Sequence, residues 1–317
     1  MSRLLPAGAA VLMLTLPALL EALGQDFHLV LATRILVYAL AATSLNLLLG
    51  YGGMVSFGHA VFIGIGGYAV AILASRGLDS AWISWPIALL VTGAVAWLIG
   101  SISLRTSGVH FLMITLALAQ MFYCVFVSLS SVGGDDGLQM DRRSSFGFAD
   151  GWPLRTDAGF YYTCLAVLML ALFFMHRLLQ ARFGMVLIGL RENAVRMGAI
   201  GYPTRRYKLL AFVIAGLVCG LAGVLNVELN RLVSPSMMHW TQSGTLIVMV
   251  ILGGPGRPWA GVVGAALFLG LEELITHYTE HWQLPMGLLL LALLLMRISA
   301  WRPAWLPARS AAAGDAP

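Results

Sequence analysis

The sequence has few charged residues for its length. Its 317 residues include 19 Lys and Arg and 14 Asp and Glu, so 10% of the chain is charged, where a soluble domain carries roughly 25%. Residues of the hydrophobic set make up 59%, and the mean hydropathy is +0.86. This composition argues against a cytosolic globular protein, because so much apolar surface needs lipid as its solvent.

Lysine is almost absent, since Lys208 is the only one. A Walker A loop requires a Lys directly after a Gly, whereas Lys208 follows Tyr207, so ATP must bind to another chain if ATP drives the protein. The basic residues form no stripe with interleaved aromatic residues, which argues against a nucleic-acid partner. A Gly-x-Ser-x-Gly nucleophile motif is also missing. We therefore expect neither catalysis nor a cofactor in this chain.

Cysteine is scarce as well. The three cysteines, Cys124, Cys164 and Cys219, each lie within an apolar run, and their odd number and placement argue against a disulfide framework or a zinc site. One tract, His277 to His281, fits the H-x-x-E-H pattern of zinc metalloproteases. Because it follows an apolar run in a short predicted loop, we interpret it as a polar cap and predict no metal site.

The sequence contains long runs of apolar residues. A bilayer core about 30 Å thick needs about 20 apolar residues per helix, and a helix satisfies its own backbone polar groups in lipid. The sequence therefore predicts an all-α integral membrane protein, a polytopic bundle of about ten transmembrane helices. The first run also fits a cleaved signal peptide, so its retention is left open. The ten runs span about residues 4–24, 29–50, 58–75, 82–104, 108–130, 159–180, 208–228, 241–256, 259–276 and 283–300.

The distribution of basic residues predicts which loops face the cytoplasm. Segment 177–208 has seven basic residues against one acid, Glu192, which is typical of a cytoplasmic loop. The loop at 131–158 has five acids against three arginines and is predicted to face outward. Ten alternating spans then place both termini in the cytoplasm. We expect one transmembrane domain over residues 1–300 and a short disordered cytoplasmic tail over residues 301–317.

Glycine is abundant, with 35 residues, and its positions suggest two uses. Gly216, Gly220 and Gly223 have the spacing of small residues that let transmembrane helices pack closely. Two other stretches, Gly50–His59 and Gly253–Pro258, interrupt helices beside apolar runs. Each is either a simple loop or irregular backbone that lines a cavity, where non-helical chain is tolerated at lipid depth.

Ionisable residues within the apolar runs are few. They are expensive in lipid and usually face the bundle interior or lie close to an interface. The positions of Glu21, Arg34 and Glu228 near the ends of spans fit such structural roles. His59 and Glu272 are harder to place at the membrane–water interface, so they are candidates for a translocation pathway.

The segment from about 181 to 207 differs from its neighbours because its hydropathy falls. Leu187, Leu190 and Ala194 recur near helical spacing among charged residues, which predicts a short amphipathic helix. The glycines and the proline of segment 198–203 are expected to end it. A surface helix whose arginines lie near anionic lipid would explain the same charges.

Several motifs occur in a fixed order between about residues 35 and 290. They comprise Arg191-Glu192-Asn193-Ala194, Gly198-Ala199-Ile200-Gly201, the run from Arg206 to Phe212 and Gly220-Leu221-Ala222-Gly223, with supporting stretches at Leu45–Leu47, Ser56–Ala60, Gly133–Gly137 and Gly253–Gly256. Together they closely resemble the permease subunits of branched-chain amino-acid ABC importers. Within that family they look like the LivM-type subunit.

The resemblance implies a non-catalytic transport subunit in the bacterial inner membrane. A homologous LivH-type permease subunit would complete the pathway in the lipid, with two ATP-binding subunits inside and a periplasmic substrate-binding protein outside. Branched-chain amino acids are the family's default substrates, while relatives carry urea, short amides or aromatic acids. A stand-alone channel or secondary transporter is the alternative, although it would need deep charged residues that this sequence largely lacks.

The resemblance also implies roles for single residues. Met54, where many relatives have Gln, and Val132, where a Thr commonly precedes Gly-Gly, depart from the family pattern and leave the substrate open. The expected ATPase-coupling loop contains Gly189, Arg191, Glu192, Asn193, Ala194, Arg196, Gly198 and Gly201. The expected substrate-pathway residues are Asn46, Ser56, His59, Gly253, Gly254 and Glu272. The expected outer gate or docking residues are Gly133, Gly134, Asp135, Asp136 and Gly137.

Overall fold

The chain folds into helices almost throughout, as apolar segments in lipid require. A computed structural model describes residues 17, 26–145, 156–278, 281, 283–288 and 291–292. By its internal contacts the chain divides into two units, residues 1–268 and 269–317. The elements are, in chain order, α1 (Asp26–Asn46) with a π-helical turn (Leu47–Tyr51), α2 (Ala60–Ser75), α3 (Ala81–Ser103), α4 (Val109–Ser128), a 3-10 turn (Ser130–Val132), β1 (Leu138–Gln139), α5 (Asp157–Gln180), α6 (Arg182–Ala199), α7 (Thr204–Asn230), β2 (Leu232–Val233), a 3-10 turn (Pro235–Met238), α8 (Trp240–Gly253) and α9 (Ala260–Tyr278).

Six helices of the described residues are long and apolar enough to cross a membrane. They are α1 with its π-helical turn, α3, α4, α5, α7 and α9. Helices α2 and α8 are apolar but shorter, with 16 and 14 residues. The prediction of an all-α membrane protein is therefore confirmed, and eight predicted apolar runs correspond to these helices. Except for Pro17, the first predicted run lies outside the described residues, as does much of the last, so the count of ten stays a prediction.

Helix α7 is the central element of the first unit and packs against α1, α2 and α3. Its contact with α2 is very close, because a Cβ on Gly66 would lie 2.2 Å from the carbonyl oxygen of Gly220. A Cβ on Gly223 would likewise lie 2.0 Å from the carbonyl oxygen of Ile63. The predicted role of Gly216, Gly220 and Gly223 in helix packing is confirmed, since close backbone approach requires small residues.

Helix α7 also connects the two ends of the first unit. It has 27 residues, and at 1.5 Å per residue it is about 40 Å long. At its start lie α6 and the last turn of α3, and we call this the coupling end. At its finish lie the paired strands β1 and β2 and the first residues of α3 and α5, and we call this the latch end.

Candidate functional site

The predicted amphipathic segment forms α6, which is helical in two pieces. Asn193 interrupts the helix with φ of −157° and ψ of 96°. Its side-chain oxygen accepts a hydrogen bond from the backbone N–H of Arg196 at 2.9 Å, as an N-cap residue does, so the second piece begins there. The helix ends at Ala199, and Gly201 follows with a φ of +96°. The sequence predicted the end of this helix from its glycines but contained no signal for the break.

The two pieces of α6 differ in burial. In the first piece, Leu187 and Leu190 are buried and face the rest of the first unit. In the second piece, the apolar side chains Val195 and Ile200 are 84% and 66% exposed. Two exposed apolar side chains close together give this charged helix a small apolar surface. We call Val195 and Ile200, with the neighbouring Glu192 and Arg196, the docking face. The sequence analysis missed Val195 and Ile200 because single apolar residues among polar ones give little periodic signal.

The first piece of α6 contacts the turn after α1 through Arg191. The Nη1 atom of Arg191 donates a hydrogen bond to the carbonyl oxygen of Gly50. Gly50 belongs to the π-helical turn, where the backbone N–H of Gly52 bonds to the carbonyl of Leu47 at 3.1 Å. Such π-helical turns occur frequently at functional sites. The predicted coupling segment is thus bonded to one of the two glycine stretches that interrupt the helices.

Asn46 joins this turn to the second glycine stretch. Its Nδ2 donates to the carbonyl of Arg257 at 2.8 Å, and its Oδ1 accepts from the backbone N–H of Gly256 at 3.0 Å. Asn46 is 2% exposed, so both bonds lie away from water. We call the set of Asn46, Gly50, Arg191, Gly256 and Arg257 the glycine junction. It connects segments that are more than 200 residues apart in the chain.

Glycine is required at the centre of the junction for steric reasons. A Cβ on Gly50 would lie 2.2 Å from Asn46 Oδ1 and 2.4 Å from the backbone nitrogen of Gly256. Gly53 has a φ of +64°, and a Cβ there would lie 2.8 Å from Arg191 Cγ. Only a residue without a side chain admits this combination of contact and backbone conformation. The interruptions of helicity at these glycines therefore bring three segments into direct contact.

The predicted pathway residues Gly253 and Gly254 lie beside the junction, at the end of α8. A Cβ on Gly253 would lie 1.8 Å from the carbonyl oxygen of Ala260. Gly254 is buried and has a φ of +90°. A Cβ on Gly264 would lie 1.7 Å from the carbonyl oxygen of Met249, so the backbones of α8 and of the first turns of α9 touch. These glycines position the second stretch against Asn46.

A cleft of about 450 Å³ opens next to the junction at the coupling end. It lies between the chain after the π-helical turn, the connection from α3 to α4, and α6. Its walls are mainly apolar, with two basic side chains at its edge. The residues that define it include Gly53, Val55, Phe111, Leu190, Arg191 and Lys208.

The predicted pathway residues Ser56 and His59 lie in the interior of the first unit, and both are fully buried. The His59 Nε2 is 2.8 Å from Ser44 Oγ, and the backbone carbonyl of His59 accepts a bond from Cys219 Sγ at 3.4 Å. The Ser243 hydroxyl accepts the backbone N–H of Ala60 at 2.9 Å. This polar cluster joins α1, α2, α7 and α8. In this conformation it contributes to packing, and its role in a pathway stays a prediction.

Glu272 belongs to the second unit and is half-buried in α9. Its carbonyl oxygen accepts a hydrogen bond from the Thr276 hydroxyl at 2.7 Å. Within the H-x-x-E-H tract, residues 279 and 280 lie outside the described residues. In the described part of the chain, no three His, Cys, Asp or Glu side chains are close enough to share a metal ion.

The predicted outer residues form a tight turn before β1. A Cβ on Gly133 would lie 1.8 Å from the carbonyl oxygen of Gly137, and one on Gly137 would lie 2.1 Å from the carbonyl oxygen of Val233. Strand β1 then pairs antiparallel with β2, with Leu138 opposite Val233. The side chains of Asp135 and Asp136 are exposed. The turn therefore holds two carboxylates at the surface of the latch end.

A second contact fixes this loop to the end of α7. The Glu228 carboxylate is fully buried and accepts the backbone N–H of Ser144 at 2.9 Å. The Arg143 Nε donates to the Glu228 carbonyl at 3.0 Å, and its Nη2 lies 2.7 Å from Asp157 Oδ1. The guanidinium also stacks over the Phe160 ring at 4.7 Å. We call these contacts the outer latch. Sequence reasoning missed it, because its partners are 85 residues apart.

Comparison with known families identifies the family of this chain. The profile of the family described as "Branched-chain amino acid transport system / permease component" matches residues 28–298, most of the chain. The chain belongs to this permease family. The family resemblance inferred from the motifs is therefore confirmed, and the chain is a transport subunit rather than an enzyme.

Individual members of the permease family are similar over most of the chain. The high-affinity branched-chain amino acid transport system permease protein LivM of Escherichia coli (strain K12) is 28% identical, over 86% of this chain and 68% of its own length. The probable LivM protein of Methanocaldococcus jannaschii is 23% identical, over 80% of this chain and 82% of its own. The LivH permease protein of Salmonella typhimurium is 26% identical, over 82% of this chain and 89% of its own. No solved structure matches the chain.

Proposed function

We propose that the chain is the LivM-type permease subunit of an ATP-driven importer of branched-chain amino acids. It forms the pathway together with a homologous LivH-type subunit, while two ATP-binding subunits and a periplasmic substrate-binding protein complete the importer. The similarity to both LivM and LivH proteins supports a permease pair. We further propose ten spans in the bacterial inner membrane with both termini in the cytoplasm. A topology reporter fused after Pro317 tests this, because a periplasmic signal would contradict it.

The observation that carries the mechanism is the glycine junction. The docking face lies on α6, and the same helix bonds through Arg191 to the Gly50 carbonyl. Asn46 extends this connection to the backbone at Gly256 and Arg257. When the ATP-binding subunits close and displace α6, the displacement acts directly on both glycine stretches. These interruptions are where the helices of the bundle change their relative positions and open the pathway alternately to each side.

The experiment that tests this mechanism separates transport from ATP hydrolysis. The importer with all five subunits is reconstituted in proteoliposomes, and leucine uptake and ATP hydrolysis are measured on the same sample. We expect Arg191→Gln to lower leucine uptake at least tenfold while ATP hydrolysis continues. The matched control is Arg182→Gln, which removes an exposed arginine at the start of the same helix and leaves both activities unchanged. If the ratio of leucine uptake to ATP hydrolysis is unchanged in the Arg191 variant, the junction does not couple the two activities.

The same proteoliposomes distinguish the substrates. We expect isoleucine and valine to compete with labelled leucine, whereas urea, acetamide and phenylalanine do not. Competition by one of the latter group alone would assign the chain to an importer of urea, short amides or aromatic acids. Leucine uptake by the single chain without ATP would instead favour a stand-alone channel or secondary transporter. That alternative has less support, because few charged residues lie deep in the described helices.

A further inference from the structure

A groove on the coupling end of the first unit has no part in the junction. It lies between the last turns of α3 and the start of α7 and has a volume of about 570 Å³. It is separate from the cleft that contains Arg191, because the two share no lining residue. The residues that define it are Trp97, Ser101, Tyr202, Arg205, Arg206 and Leu209.

The groove is basic. The Nη2 of Arg205 donates to the carbonyl of Ser101 at 2.9 Å, which holds the guanidinium at the wall of the groove and leaves its other N–H groups for a ligand. Arg206 is exposed beside it. Of the described residues that line the groove, none is Asp or Glu. Two arginines without an acidic partner match a phosphate, because the guanidinium fork fits phosphate oxygens in pairs.

The groove also has the composition of a membrane interface. Trp97 and Tyr202 are 58% and 41% exposed, and such aromatic residues concentrate where lipid meets water. Directly next to the groove, Leu98 and Ile102 of α3 and Leu210 of α7 are exposed apolar side chains. An occupant with an anionic head and hydrocarbon tails would satisfy both parts of this surface.

We propose that this groove binds an anionic phospholipid. Arg205 and Arg206 hold the phosphate, the Trp97 ring packs against the glycerol region, and the acyl chains lie along α3 and α7. A soluble anion would use the two arginines but would leave the aromatic and apolar side chains uncovered. The lipid instead covers the whole groove and ties the start of α7 to the end of α3, next to the segment that moves with α6.

The test counts lipids bound to the purified full-length chain. The protein in a neutral detergent is titrated with phosphatidylglycerol or with phosphatidylcholine, and native mass spectrometry records the lipids retained. We expect one phosphatidylglycerol to bind in preference to phosphatidylcholine. In R205Q/R206Q its apparent affinity falls about 30-fold, as expected when two arginines no longer contact an anionic headgroup. In R205K/R206K, which keeps the charge but not the paired geometry, the preference persists with a smaller loss.

The matched control removes two exposed arginines elsewhere on the same end of the chain. Arg105 and Arg182 lie outside the groove, and R105Q/R182Q is expected to retain phosphatidylglycerol like the unchanged chain. An equal loss of phosphatidylglycerol affinity in both double variants would show that only the total positive charge matters, and this would overturn the proposal. Displacement of the lipid by millimolar inorganic phosphate would also overturn it, because a plain anion site would then suffice. The proposal would also be overturned if R205Q/R206Q kept its lipid but no longer associated with the ATP-binding subunits, because the two arginines would then contact those subunits instead.

Discussion

The two ends of the first unit are held together by different kinds of contact. At the coupling end, the glycine junction consists of hydrogen bonds from two side chains, Asn46 and Arg191, to backbone groups. At the latch end, charged side chains meet, and the backbone of the loop is also paired as a strand. Each hydrogen bond of the junction ends on a backbone carbonyl or N–H, whereas the latch also contains an ion pair between side chains. We infer that the latch end stays fixed while the coupling end moves.

The largest expected effect is on the latch. In Arg143→Ala, the ion pair with Asp157, the bond to the Glu228 carbonyl and the stacking on Phe160 are all lost. Because the Arg143 side chain is 6% exposed and its removal leaves the Glu228 carbonyl without its donor and the Phe160 ring without its cation, we expect a loss of about 3 kcal/mol in the free energy of unfolding. Thermal unfolding in detergent measures it, and leucine uptake and ATP hydrolysis should fall together.

The control for this variant is Asp157→Asn, which changes the partner that is 54% exposed. An exposed ion pair contributes little, so we expect a change below about 1 kcal/mol. If Arg143→Ala and Asp157→Asn destabilise the protein equally, the latch depends on its exposed ion pair, and the contrast with the junction disappears.

The next effect is on the junction and is mainly functional. In Gly50→Ala, the new methyl group meets Asn46 Oδ1 and the backbone of Gly256, so the two glycine stretches must separate. Overpacking of this kind costs up to about 3 kcal/mol, and we expect leucine uptake to fall more than ATP hydrolysis. Gly270→Ala is the matched control, because a Cβ at Gly270 would meet nothing within 4 Å. A loss of uptake in the control would mean that any added methyl group in these helices blocks transport.

A smaller effect is expected from Asn46→Ser. The shorter side chain adds no charge, but it cannot reach both the N–H of Gly256 and the carbonyl of Arg257, so one of the two bonds is lost. We expect a loss of stability of about 1–2 kcal/mol from one broken buried hydrogen bond, with uptake again lowered more than ATP hydrolysis. Uptake and ATP hydrolysis that remain in proportion would show that the amide only stabilises the fold.

The smallest effect on stability concerns the docking face. Val195 is 84% exposed, so Val195→Asp should change the free energy of unfolding by less than about 0.5 kcal/mol. We nevertheless expect co-purification of the ATP-binding subunits to fall strongly, because a charge replaces an apolar contact. The control is Leu78→Asp, which alters an exposed apolar residue in the turn between α2 and α3. Full retention of the ATP-binding subunits by the Val195 variant would place their contact elsewhere.

The sequence predicted the features that depend on local pattern. Hydropathy located the apolar helices, and the spacing of Gly216, Gly220 and Gly223 predicted close packing, because both signals repeat along one helix. The amphipathic period predicted α6 in the same way. The glycine stretches were recognised as interruptions of helicity, although their function as a junction was not.

Contacts between distant segments were beyond the reach of the sequence. Nothing local links Asn46 to Gly256, or Arg143 to Glu228, since each pair meets only after the helices have packed. The burial of Ser56 and His59 could not be predicted either, because a polar residue in an apolar run fits a satisfied interior cluster as well as a pathway. Asn193 did not predict the break in α6, since asparagine is tolerated within helices at a modest cost in free energy.

The amide of Asn46 has an electrical consequence. A carboxamide both donates and accepts a hydrogen bond without net charge, so the contact it makes with the two backbone groups can form and break without moving charge through the bilayer. A membrane potential does work of about 2.3 kcal/mol per elementary charge for every 100 mV, and on this contact it does none. The free energy needed to break the contact at Asn46 is therefore expected not to depend on the membrane potential.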